Sequence, residues 1–288
     1  MTDYVSTPNL EKLILTLSCP DRPGIVYSVT KVISKNDGNI IQSQQFGDPD
    51  TGFFFMRVEL ETGSRAQIEA GMAEVAATYD AQYQIDELGR PLRTIIMVSK
   101  EGHCLTDLLY RQRYQDLGID VVAVVGNHPD LAPVAQFYGK PFLCIPVTPE
   151  TKEQAEAQLL ALVESEQVEL VILARYMQIL SDRLCELLAG NVINIHHSFL
   201  PSFKGARPYA QAHTRGVKLI GATAHYVTAD LDEGPIIEQD VTRVTHREST
   251  KDLVAQGQDV ERRVLAQAVK WHVQHRVLLN GHRTVVFS

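Results

Sequence analysis

Five short segments, 94–98, 120–125, 142–146, 170–174 and 192–196, are nearly continuous runs of apolar residues. A strand that is apolar on both faces must be covered on both, which is how strands of a parallel sheet are buried. Helical patterns fit between these runs, as over 151–165 and 181–189. Strands alternating with helices predict an α/β domain, a mostly parallel sheet of Rossmann-like type with helices on its two faces. Segments 218–228 and 236–244 extend the pattern, a long helix is expected over about 249–276, and Asn280-Gly281 marks a short hairpin.

The part of the chain before residue 89 has another grammar. Alternation over 12–19 predicts a strand. The turn Pro20-Asp21-Arg22-Pro23-Gly24 follows, and then Ile25, Val29, Val32 and Ile33 recur at helical spacing as far as the stop signal Asn36-Asp37-Gly38. Strands over 39–47 and 52–61, joined at Asp48-Pro49-Asp50, precede a helix over 64–78 and a last strand over 82–88. The order is βαββαβ, a small ferredoxin-like sheet with both helices on one face. Gly89-Arg90-Pro91 reads as a linker, so the expected domains are 1–88 and 93–288, with 89–92 between them. A chain of 288 residues is long enough for two such cores.

Formal charge is −8, from 27 basic and 35 acidic residues, with no basic cluster. Nucleic-acid binding draws its affinity from phosphate neutralisation, so this balance argues against DNA or RNA as a partner. Small molecules and further copies of the chain, in a dimer or tetramer, are the expected partners. No run approaches the ~20 apolar residues of a membrane span. The first residues show no basic stretch followed by an apolar one, as a secretory signal would. Cys19, Cys104, Cys144 and Cys185 are scattered through apolar runs, with no metal spacing, as buried thiols would be. A cytoplasmic location is expected.

Chemistry concentrates in two segments. In Val192-Ile193-Asn194-Ile195-His196-His197-Ser198-Phe199-Leu200-Pro201, alternation sends Asn194 and His196 to one face, and His197 away from His196. Both polar residues lie at the carboxyl end of an apolar strand, where open α/β sheets place ligands. An amide and an imidazole side by side can hold an oxygen that gains negative charge; a polar strand end meeting solvent would give the same pattern. The second segment, Gly221 to Pro235, runs from a strand into Asp230-Leu231-Asp232-Glu233, with three carboxylates in four residues. A carboxylate there can orient water or stabilise a protonated imidazole. A solvated acidic loop is the alternative.

Together, Asn194-x-His196, Ser198 to Pro201 and Leu231-Asp232-Glu233-Gly234-Pro235 resemble the formyltransferase family that uses 10-formyltetrahydrofolate, over residues 93–245. The resemblance implies that Asn194, His196 and Asp232 are catalytic. It also implies that Met177, Gln178, Ile179 and Leu180 line a folate pocket after Tyr176, and that Ala229 and Asp230 belong to the loop against the pterin. His225 aligns with a supporting histidine, and packing on its strand is the other role open to it. The first domain resembles an ACT module, with Asp21-Arg22-Pro23-Gly24-Ile25 opening a helix whose amides can receive an amino acid's carboxylate. ACT fused to such a folate domain resembles the deformylase family that hydrolyses 10-formyltetrahydrofolate. His196-His197, Gly205-Ala206-Arg207-Pro208-Tyr209 and Gly221 to Tyr226 look like that family too.

Hydrolysis, rather than transfer, is also suggested by Ser99-Lys100-Glu101-Gly102-His103-Cys104. Where a transferase would cradle a phosphate on glycine-rich backbone, this stretch has one glycine and the repelling charge of Glu101, although Lys100 could meet an anion. The expected reaction is attack by water, oriented by Asp232, on a formyl carbon whose oxygen lies between Asn194 and His196. A formyltransferase and a catalytically dead folate sensor are the rival readings. No metal and no cofactor are expected, because His196-His197 lacks further ligands at a usual spacing. Trp271, His272 and His275, on the basic end of the last helix, are expected to carry no site.

Overall fold

The structure, a computed structural model, describes residues 10–115, 117–200 and 208–288. Two compact units divide it, one formed by residues up to Arg90 with 274–280 and 285–288, the other by 91–273 with 281–284.

In the first unit the elements are β1 (Glu11–Pro20), α1 (Ile25–Lys35), β2 (Asn39–Asp48), β3 (Phe53–Thr62), α2 (Arg65–Tyr79) and β4 (Gln82–Glu87). The four strands form one sheet in the order β2-β3-β1-β4, with antiparallel neighbours. Alternation selects its faces. Leu13, Leu15 and Leu17 of β1 point to the helices with Met56, Val58 and Leu60 of β3, against Ile25, Val29 and Ile33 of α1 and Ile68 and Met72 of α2. The expected βαββαβ order is the one observed. Gly24, at φ 97°, turns the chain into α1 in a left-handed conformation that glycine adopts freely.

Phe55, on the other face of β3, packs with Leu278 and Phe287. Beside it the buried Arg57 donates through Nε and Nη2 to the Gln274 carbonyl at 3.1 and 2.9 Å and pairs with Glu59 at 2.8 Å. These contacts place the C-terminal residues in the first unit, whereas the sequence assigned all of 93–288 to the second. The expected helix to residue 276 ends earlier for the same reason: at His275, φ is 51° and the helical path is left. His272 and His275 therefore do not share a helix face.

The second unit holds β5 (Leu92–Val98), α3 (His103–Tyr114), β6 (Ile119–Gly126), α4 (Ala132–Phe137), β7 (Phe142–Cys144), α5 (Lys152–Ser165), β8 (Leu170–Leu173), α6 (Asp182–Leu187), β9 (Val192–His196), α7 (Pro208–Arg215), β10 (Leu219–Tyr226), β11 (Ile236–Arg243) and α8 (Thr250–Val273). A hairpin of β12 (Val277–Asn280) and β13 (Arg283–Val286) ends the chain. The sheet has seven strands in the order β11-β10-β9-β8-β5-β6-β7. Strands β5 to β9 are parallel to their neighbours, and β10 and β11 close the edge antiparallel. From β5 the chain builds outward one way to β7, then returns to place β8 on β5's other side. Ligands of open α/β sheets bind at such a reversal, beyond the strands' carboxyl ends. Strand β7 is shorter than expected and leaves Cys144 exposed, while Cys19, Cys104 and Cys185 are buried as expected.

Candidate active site

Strand β9 presents Asn194 and His196 on one face, as alternation requires. Antiparallel pairing sets His225 of β10 directly opposite Asn194. A register shift between Ala224 and His225, of the kind that re-aims side chains beside active sites, occurs in the β10–β11 pairing at this point. His225 is buried, with Nδ1 2.9 Å from the Tyr226 carbonyl and Nε2 3.2 Å from Asn194 Nδ2. A carbonyl only accepts, so the proton sits on Nδ1, and Nε2 accepts from the Asn194 amide. One Asn194 N–H is thereby fixed, and the other remains for a ligand.

Asp232 enters from the loop between β10 and β11, with φ 57°. Its Oδ1 lies 3.2 Å from His196 Nδ1 and 3.8 Å from His225 Nε2. The hydrogen bond from His196 outweighs partial burial and holds the Asp232 carboxyl well below the usual carboxylate range. Gly234 makes this approach possible: a Cβ there would lie 1.8 Å from the Tyr226 carbonyl oxygen. Asp232 can thus orient a water as an anion.

A cavity of about 670 Å³ joins these groups to segments 176–180 and 227–232. Met177 and Ile179 on one side and Leu231 on the other are large apolar side chains left exposed beside it. Gln178, Ala229 and Asp230 also line it, and Leu180 reaches it from the buried core. The Met177 N–H donates to Ser99 Oγ at 2.9 Å, and Ser99 donates to Asn127 at 2.7 Å, tying the segment to the ends of β5 and β6. The sequence-predicted site residues therefore come together around one cavity, with Glu101 also on its wall.

His197 departs from expectation. Strand β9 ends at His196, alternation ends with it, and the two imidazoles stack with centroids 5.1 Å apart. Burial pushes the His197 pKa down to about 4, with the charges of Arg175 and His196 adding to it.

Sequence reasoning missed a second group on the same cavity wall. Glu261 of α8 is 1% exposed. Tyr209 donates to its Oε1 at 2.6 Å, His103 Nε2 to its Oε2 at 2.7 Å, and Arg175 Nε lies 3.4 Å from Oε2. Burial opposes ionisation of Glu261, but His103, Arg175 and Tyr209 together hold its pKa below the ordinary value. Gly257, one helical turn earlier, leaves room for Tyr209, whose hydroxyl oxygen a Cβ would meet at 2.1 Å and whose ring at 2.2 Å. The one available signal was an acid at position 261 on the apolar stripe Val260, Val264, Leu265.

Among the described residues, His103, Cys104 and Glu261 offer three metal-ligand atoms within 4.8 Å. Tyr209 and His103 already donate to the Glu261 carboxylate, and the Arg175 guanidinium sets a positive charge beside it. His272 Nδ1 lies 2.8 Å from the Tyr226 hydroxyl, a hydrogen bond between two residues that do not line the cavity. Pro201 and Gly205-Ala206-Arg207 lie outside the described residues.

Residues 92–269 match the formyl transferase family, and 13–70 match the ACT domain. A formyltetrahydrofolate deformylase of Corynebacterium sp. (strain P-1) is 49% identical over 95% of this chain and 97% of its own. The chain belongs to the formyltetrahydrofolate deformylase family. The Escherichia coli (strain K12) member is 39% identical over 96% of this chain and 99% of its own. The crystal structure of the deformylase from Burkholderia mallei superposes with a TM-score of 0.93 at 48% identity, covering 96% of this chain and all of that one, 100%. Glycinamide ribonucleotide transformylase 1 from Symbiobacterium toebii superposes at 0.65 with 28% identity, over 70% of this chain and 97% of that one. Deformylase and transferase thus share the second unit's fold. Among the described residues, no helix is long and apolar enough to cross a membrane.

Proposed function

We propose that this protein hydrolyses 10-formyltetrahydrofolate to formate and tetrahydrofolate. The observation that carries the reading is the meeting of Asn194, His196 and Asp232 around one cavity, with His196 Nδ1 3.2 Å from Asp232. The pterin lies against Met177, Ile179 and Leu231, since exposed apolar side chains in a concave site mark a ligand surface. Gln178, Leu180, Ala229 and Asp230 complete that wall.

The formyl oxygen sits between the free Asn194 N–H and His196. Asp232, held as an anion, accepts from a water and aims its lone pair at the formyl carbon. As that bond forms, the carbonyl oxygen gains charge, which Asn194 and an imidazolium at His196 stabilise. The carbon–nitrogen bond then breaks, the folate nitrogen leaves with a proton, and formate is released. The atoms balance with water alone, and the reaction calls for neither a metal nor a cofactor. Some amino acid is the effector of the ACT domain, and the protein works in the cytoplasm as an even-numbered homo-oligomer.

The test is formate release from 10-formyltetrahydrofolate with no amine present, comparing the wild type with Asp232→Asn. Release that disappears in the variant supports the reading. Tetrahydrofolate that forms only on addition of an acceptor amine, with the formyl group on that amine and no formate, replaces it with a transferase.

A further inference from the structure

Two enzymes on one fold can deliver the same formyl group to an amine or to water. Water is always present, so an enzyme restricted to hydrolysis must keep amines out. The cavity here contains a group suited to receive an amine. Glu261 is a buried carboxylate on the wall of the cavity that holds Asn194, His196 and Asp232. A short path of rings connects it to the catalytic histidine: His196 stacks on His197 at 5.1 Å, the His197 and Tyr209 centroids are 6.4 Å apart, and Tyr209 donates to Glu261. A buried anion on the wall of the cavity that receives the formyl group would draw in an ammonium group.

In this chain that position is already filled. Arg175 projects from the loop after β8, lines the same cavity, and brings its guanidinium to Glu261, with Nε 3.4 Å from Oε2. Its φ of 64° is a left-handed conformation unusual for a residue with a Cβ. Its Nε and Nη1 are buried and make no hydrogen bond among the described residues, so ordinary hydrogen-bond satisfaction there does not account for its position. Tyr209 and His103 donate to the same carboxylate, one hydrogen bond to each oxygen.

We propose that Arg175 is a specificity-determining residue, a built-in substitute for an acceptor's cation that closes Glu261 to amines and leaves water as the nucleophile. The inference rests on the hydrolytic reading above. With Arg175 removed, a primary amine binds Glu261 as its ammonium ion, leaves one proton on the Glu261 carboxylate, which returns it to solvent, and attacks the carbon as the free amine. Its nitrogen bonds to the formyl carbon, the carbon–nitrogen bond to folate breaks, and the displaced proton ends on the folate nitrogen. The products are a formylated amine and tetrahydrofolate.

Glycinamide is the probe, and the readout is the ratio of N-formylglycinamide to formate made from 10-formyltetrahydrofolate. The variants are Arg175→Gly, which the left-handed backbone favours, and Arg175→Gln, which keeps more of the volume. The wild type is expected to give formate alone. Either variant that still binds folate is expected to bring the ratio to roughly tenfold or more above the smallest ratio the assay detects in the wild type, as expected from restoring one ionic contact. Methylguanidine, which has the shape and charge of the missing group, should compete with glycinamide and return the variant to formate. Arg175→Gly combined with Glu261→Gln should also lose the amine product. A purely structural role for Arg175 predicts none of these changes.

N-formylglycinamide from the wild type at a rate comparable with formate overturns the proposal without any variant. So does a folate-binding Arg175 variant that yields formate alone at every glycinamide concentration. If the wild type releases no formate at all, the hydrolytic reading itself falls.

Discussion

Replacing His197 with glutamine should make the protein more tolerant of acid. The imidazole is partly buried between His196 and Tyr209, and burial, with Arg175 and His196 nearby, brings its pKa to about 4. In the unfolded chain it returns to about 6.5. Between these values the unfolded chain binds a proton that the folded chain refuses, so stability falls as pH falls from about 6.5 to about 4 and changes no further below. The full separation corresponds to about 3 kcal/mol, of which roughly 2 kcal/mol is lost by about pH 5. His197→Gln removes this proton uptake and leaves every other titrating group in place. Urea unfolding at about pH 7.5 and about pH 5, for variant and wild type, isolates the term as a difference of differences. Trp271, the sole tryptophan, lies on α8 and reports on the second unit. The wild type should lose roughly 2 kcal/mol more than the variant over that range. Parallel losses in the two proteins would refute the assignment of a buried, neutral imidazole at position 197.

Asn194→Ala removes one of the two groups facing the formyl oxygen. Steady-state formate release should fall about 10²–10³-fold, while thermal unfolding registers only the lost hydrogen bond to His225, ~1 kcal/mol. Gly234→Ala places a methyl where the Tyr226 carbonyl lies, so the loop carrying Asp232 must shift. A displacement of that size should lower turnover ~10²-fold with folate binding largely retained, as equilibrium binding and formate assays would show.

Much of this architecture was legible in the sequence because it follows from local periodicity. Strands β5, β6, β8 and β9 are mostly apolar because both of their faces are covered. The pairing of Asn194 with His196 follows from the alternation of a strand. Asp232 was identifiable from its loop and motif. What escaped were the features fixed by distant partners. Residues 274–280 pair with the outer face of β3 because Phe55 and Arg57 need cover, and nothing near residue 274 announces that. Alternation failed at His197 because the strand stops one residue earlier. Arg175 and Glu261 meet across more than eighty positions, and only the misplaced polarity of Glu261 on its helix hinted at the pair.

The hub at Glu261 also bears on how such enzymes can be recombined. Its carboxylate is contacted from three separate stretches: His103 after β5, Arg175 after β8 and Tyr209 on α7. A chimaera that grafts any one of these loops from a transferase leaves the others facing an altered anion, and Gly257 fits only a ring of this kind above it. Positions 103, 175, 209, 257 and 261 thus form a block to be exchanged together, although the loops that carry them look interchangeable one at a time.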